Sequence, residues 1–146
     1  MRSLLFGALL ALAAPLSAWA EGVKLYDYEG SFEDATFDLR TAIEGRGLVI
    51  DYVSHVGEML ARTKADVAGS KDLYAEADIF LFCSAVVSRS VMEADPDNIA
   101  HCPYGIFVRQ AAGGDAVQIG YREMPEGAMQ EVEALLASIV REAVGQ

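Results

Sequence analysis

Cys83, Cys102, His101, His55 and Met92 are the side chains in this sequence whose types could do metal or redox chemistry together. Both cysteines fall in the stretch from Phe80 to Val108, FLFCSAVVSRSVMEADPDNIAHCPYGIFV, and His101 stands directly beside Cys102. Two cysteines admit three states, all open at this point. Joined, they cross-link a loop of about 20 residues and constrain the unfolded chain, for roughly 3 kcal/mol. Separate and buried, they act as small hydrophobes. Deprotonated, they are soft ligands. Thiolate, thioether and imidazole together suit copper(I) or zinc, and the same donors can hold haem iron. That ligand set would be Cys83, His101 and Cys102, with His55 or Met92 added. No CxxC and no closely spaced pair of histidines occurs, so spacing alone does not select the metal-bound state. Neighbouring residues on a strand point to opposite faces, so His101 and Cys102 share a ligand only if Pro103 holds them in an extended turn.

Other chemistry finds less support. Ser84 and Ser88 lie in no GxSxG elbow. Cys83 as a nucleophile needs an electropositive setting, and its surroundings are acidic. Gly113-Gly114 reads as a hairpin turn and not a phosphate cradle, because no helix follows it. Tyr104 and Tyr121 read as ordinary tyrosines on half-buried strands. With no catalytic motif of known mechanism, three classes of function compete. One is a non-enzymatic binding module whose ligand, a soft metal, a haem or a small sulfur compound, sits at the rim formed by Cys83, His101 and Cys102. Another is a thiol-dependent redox protein that uses Cys83 and Cys102 reversibly. The third is a structural or interaction domain with a static disulfide.

Residues 1–20 read as a secretory leader. Arg2 gives the positive start, Leu4 to Leu16 the apolar run, and Ala18-Trp19-Ala20 the small-residue cleavage site. Cleavage before Glu21 leaves 21–146 as a single domain, long enough to build its own core. No later stretch approaches the length of a transmembrane helix. The expected location is periplasmic or secreted, without a membrane anchor once the leader is removed. In that oxidising setting a disulfide is the default for two cysteines. A net charge of −11 argues against nucleic acid as a partner and against docking on anionic lipid.

The elements that position these residues follow from periodicity and punctuation. VKLYDY at 23–28 alternates as a strand. Ser31 is a good N-cap, and Phe32, Ala35, Leu39, Ala42 and Ile43 form the apolar face of a helix stopped by Gly45 and Gly47. LVIDYV at 48–53 is a second strand. The segment 57–77 reads as two short helices, one around Met59 to Val67 and one around Leu73 and Tyr74. IFLF at 79–82 is a buried strand, 88–94 a helix, and Asp95-Pro96-Asp97-Asn98 a turn. GIFVRQ and AVQIGYR make a hairpin across 111–115. A last helix begins at Pro125 and Glu126, with Met129, Val132, Leu135, Leu136, Ile139 and Val140 as its stripe. The pattern predicts an α+β domain: an antiparallel sheet with two long helices on one face. The last three strands should form a meander.

The stretches SFEDATFDLRTAIEGRGLVIDYVSHVGEMLART, FCSAVVSRSVMEADPDNIAHCPY and VQIGYREMP, in this order, resemble the domain of unknown function family numbered 302. The middle phrase is similar to an exported proteobacterial branch in which FCSA and NIxxCPY carry both cysteines. The resemblance implies a helix-grip fold, similar in topology to the TATA-binding protein, and a homodimer. It implies no reaction, and it leaves any small ligand unnamed.

Overall fold

The structure is a computed structural model that describes residues 22–146; the expected leader, 1–20, lies outside the described residues. The chain runs β1 (Val23–Tyr28), α1 (Phe32–Glu44), β2 (Val49–Ser54), α2 (Val56–Thr63), a 3₁₀ turn (Lys64–Asp66) and β3 (Tyr74–Cys83). It continues through α3 (Ala85–Ala94), a second 3₁₀ turn (Pro96–His101), β4 (Tyr104–Ala111), β5 (Val117–Arg122) and α4 (Gln130–Ala143). The strands form one sheet in the order β1-β5-β4-β3-β2, and every neighbouring pair is antiparallel. The expected meander of β3, β4 and β5 is present. β1 and β2 lie on opposite edges, so α1 carries the chain from one edge of the sheet to the other.

Local sequence explains these elements. Ser31 caps α1: its hydroxyl accepts from the Asp34 amide while the Asp34 carboxylate accepts from the Ser31 amide. That reciprocal pair satisfies donors the first turn would otherwise leave free. The helix then buries Phe32, Ala35, Leu39, Ala42 and Ile43, the face expected from their spacing. α4 buries Val132, Leu136, Ala137, Ile139, Val140 and Ala143. On the sheet, Phe80, Phe82, Tyr104, Ile106, Val108, Val117, Ile119 and Tyr121 turn toward these helices. α3 adds Val91, so three helices share the core rather than two. A fully buried aliphatic side chain of this kind stabilises by about 1.5–3 kcal/mol.

Three expectations need correction. No second helix forms around Leu73 and Tyr74. Tyr74 instead opens β3, because its strand partner Ala111 extends the β3–β4 ladder that far. Cross-strand pairing outweighs the weak strand preference of Ala75, Glu76 and Ala77. The last helix starts at Gln130, not at Pro125; Gly127 adopts φ 90° and breaks the approach. Leu135 is only half-buried against the core, while Leu136 is fully enclosed.

The second face of the sheet has a different character. Residues alternate across a strand, so Val23, Leu25, Ile79, Leu81, Phe107 and Arg122 point away from the core helices. Val23 and Leu25 are exposed, and Ile79, Leu81 and Phe107 are half-buried. Phe107 stands opposite Gly120 in the β4–β5 register. A β-carbon added at Gly120 would lie 2.6 Å from the Phe107 Cζ and 2.6 Å from the Lys24 carbonyl oxygen. Glycine there lets the aromatic ring lie across β5.

Candidate functional site

Cys83 closes β3 and Cys102 precedes β4. Because Phe82 pairs with Tyr104, the two cysteines meet at one end of the sheet. They form a disulfide with Cα atoms 6.6 Å apart, inside the usual range for such bonds. The loop they enclose is folded back on itself. Ser84 caps α3 by accepting from the Val87 amide. Asp95 caps the following 3₁₀ turn through the Asp97 amide, and the Asn98 side-chain amide donates to the Val91 carbonyl at 2.8 Å. The Cys102 amide donates to the Ile99 carbonyl, and the Cys102–Pro103 peptide is cis. Asp95 to Asn98 therefore forms the start of a short helix rather than an isolated turn.

This loop end overhangs the face of the sheet opposite α1, α3 and α4 and makes a cavity of about 390 Å³. Ala100, His101 and Pro103 form one wall. Ile79, Leu81, Gly105 and Phe107 form the floor, and Val23, Arg122 and Met124 the far side. A β-carbon at Gly105 would touch the Leu81 and Ile79 side chains at 3.3 and 3.5 Å, so the missing side chain deepens the floor. The lining is mostly apolar, with two residues that carry polar side chains, His101 and the exposed Arg122. Among the described residues no carboxylate lines it. Small-molecule sites commonly have this composition at volumes from about 300 Å³ upward.

The structure thus joins Cys83 to Cys102 and sets His101 at the adjacent cavity. It places the other sequence candidates elsewhere. The His55 Nδ1 lies 2.8 Å from an Asp78 oxygen. Asp78 is five positions from Cys83 along β3, about 16 Å at strand rise. Met92 packs against the core from α3. Among the described residues no group of three or more His, Cys, Asp or Glu side chains gathers as a metal site. Joined sulfurs are not thiolates, so metal binding through Cys83 and Cys102 would first require the bond to be reduced. Tyr104 and Tyr121 are fully buried core residues. Tyr104 shares a hydrogen bond with Ser88, the two oxygens 3.0 Å apart.

Sequence reasoning passed over Arg122, Phe107 and Met124. The alternation of VQIGYR, with Val117, Ile119 and Tyr121 on the core side, already puts Arg122 on the opposite face. It does not reveal that the loop before Pro103 reaches that face. A larger hollow, about 510 Å³, lies beside β1 and the end of α4, and is lined by Asp27, Glu29, Asp38 and Glu142 among others. There the Tyr28 hydroxyl donates to Asp38 at 2.5 Å. That bond, with burial, pushes the Tyr28 pKa up to about 12. It is a wide, acidic depression at the surface.

One antiparallel sheet, covered by helices on one face and fastened at its rim by a disulfide, defines an α+β domain of a compact single-sheet class. A family model described as "Domain of unknown function DUF302" matches residues 25–143. The chain belongs to that family. It is also similar in fold to a solved structure described as an uncharacterized conserved DUF302 protein from Bacillus stearothermophilus. The TM-score is 0.57 at 16% identity, over 84% of this chain and 88% of the other. No curated protein matches the sequence.

Proposed function

We propose that this protein is an exported binding module, from an exported branch of its family, whose disulfide is a static clamp and whose ligand is a small molecule held beside it. The observation that carries this reading is the cavity under Ala100 to Pro103, bounded on one side by the very loop that Cys83 and Cys102 fasten. A stable wall made from a loop needs such a fastening, because loop ordering at a site otherwise reduces affinity. The leader-like first 20 residues and the joined cysteines agree with an oxidising compartment. No helix among the described residues is long and apolar enough to cross a membrane.

A fragment screen by protein NMR on the oxidised chain tests the reading. Binders should shift His101, Phe107 and Arg122 resonances, and a Cys83→Ala/Cys102→Ala variant should bind them more weakly. Binders that collect in the acidic hollow by Tyr28 instead would refute it. A disulfide reduced and reformed by cellular thiol carriers at a rate matching turnover would favour the redox reading, and copper(I) or zinc held stoichiometrically by the reduced chain the metal reading.

The homodimer expected from the family resemblance has one surface in its favour. Val49, Val86 and Ile99 are 71%, 77% and 64% exposed, and all three lie near the disulfide end of the sheet. Val49 pairs with Cys83 in register. Exposed apolar side chains gathered this way suit an isologous contact. Analytical ultracentrifugation of Val49→Asp and Ile99→Asp variants would separate a dimer using this patch from a monomer.

A further inference from the structure

We infer that the cavity takes a small apolar or aromatic body carrying one carboxylate, and that Arg122 is the partner of that carboxylate. The inference rests on the binding reading above and names the ligand class for the same cavity. Its first support is electrostatic. The chain has 22 acidic side chains against 11 Lys and Arg, yet the cavity lining holds an arginine, a histidine and, among the described residues, no carboxylate. In so acidic a chain, an acid-free hollow with an arginine at its side is a local reversal of charge.

The second support is that Arg122 is not used elsewhere. Lys24, Arg40, Arg46, Lys64 and Arg89 each pair with a carboxylate, and Arg109 donates to Gln118. Among the described residues the Arg122 side chain makes no hydrogen bond or ion pair. Its neighbour Glu123 points to the other face, where it holds Lys24 at 2.5 Å and the Gly22 amide at 3.0 Å. The guanidinium therefore has its fork of donors free, a shape that matches a carboxylate edge-on. His101 on the opposite wall can supply a further ring N–H.

The third support is the floor. Ile79, Leu81 and Phe107 offer an aliphatic and aromatic surface, and Gly105 opens room above it. Such a floor accepts a flat or branched apolar body. A doubly charged phosphate fits less well, since neither a lysine nor the start of a helix of eight residues or more lines the cavity.

The probes are 2-naphthoate and 2-naphthamide, which share a body and differ in charge. Each is titrated into the oxidised chain and followed by calorimetry and by NMR shifts at His101, Phe107 and Arg122. The acid should bind about tenfold or more tightly than the amide, the difference a charge-assisted bond to arginine supplies. Arg122→Gln should bring the acid down to the affinity of the amide. Arg62→Gln, an exposed charge on α2, should leave both unchanged and so exclude a bulk-charge effect. Equal binding of acid and amide at these residues would overturn the carboxylate inference while leaving the cavity in use. Absence of any shift there for either probe up to millimolar concentration would overturn both.

Discussion

Removing the Cys83–Cys102 bond should lower stability by about 3 kcal/mol. The bonded residues are 19 apart in sequence. Closing a loop of that size removes about 11 cal/mol/K of chain entropy from the unfolded state, or roughly 3 kcal/mol at about 25 °C. The native loop has its own fastenings, namely buried Val91, the Asn98 bond to the Val91 carbonyl and the Ser84 cap. These persist without the bond, so the loss falls mainly on the unfolded ensemble and the folded variant should keep its secondary structure. The assay is urea unfolding of Cys83→Ala/Cys102→Ala beside the oxidised parent. With a denaturant slope of about 2 kcal/mol/M, the midpoint should fall by about 1.5 M. Cys83→Ala alone should match the double variant to within about 0.5 kcal/mol. A loss below about 1 kcal/mol would refute the clamp, because the loop would then be equally constrained without its bond. So would a single variant far weaker than the double one, since that would give the lone Cys102 thiol a role of its own.

Leu136→Ala should cost about 2–5 kcal/mol in the same melt, and Leu135→Ala clearly less, because only Leu136 is fully enclosed; equal losses would place the helix stripe wrongly. Gly120→Ala should cost about 1–3 kcal/mol through overpacking against Phe107 and the Lys24 carbonyl, and an unchanged melt would mean the edge strand yields freely. Tyr28 has its pKa raised to about 12, so the folded state holds that proton more tightly than the unfolded one. Its contribution is complete below about pH 10 and is lost as pH rises from about 10 to 12. Tyr28→Phe should flatten the alkaline fall of stability over that window without abolishing it, since burial also raises Tyr121; an identical alkaline limb would remove the Asp38 bond from the account. Exported protein should begin at Glu21 by intact mass, and a soluble species retaining Met1 to Ala20 would contradict the leader.

Strands and capped helices were legible in the sequence because each carries a local signal. VKLYDY alternates, Ser31 caps α1, and the hairpin around Gly113 has turn chemistry. β3 was legible only in its apolar half. Tyr74, Glu76 and Ala77 become strand through partners more than thirty residues later, and no local pattern encodes those partners. The cysteine pair was legible as a juxtaposition, because facing strand ends force it once β3 and β4 are neighbours. The cavity was not. It needs Val23 from one edge strand, Arg122 from its partner and Pro103 from a loop, and only the sheet order brings these together. The separation of His55 from the cysteines was hidden for the same reason: it contacts Asp78, supplied by a neighbouring strand.

The pairing of β1 with β5 also governs when this chain can fold. Val23 meets Arg122 across the sheet edge, so the first strand made has no partner until nearly the whole chain has been synthesised. Contacts of such long sequence separation form slowly, since ordering the intervening chain precedes any reward for it. α1, amphipathic and already released, has until then no complete sheet to cover. The sheet therefore cannot be completed until β5 has been made. A β1 left unpaired until then suits the threading that the proposed export would require.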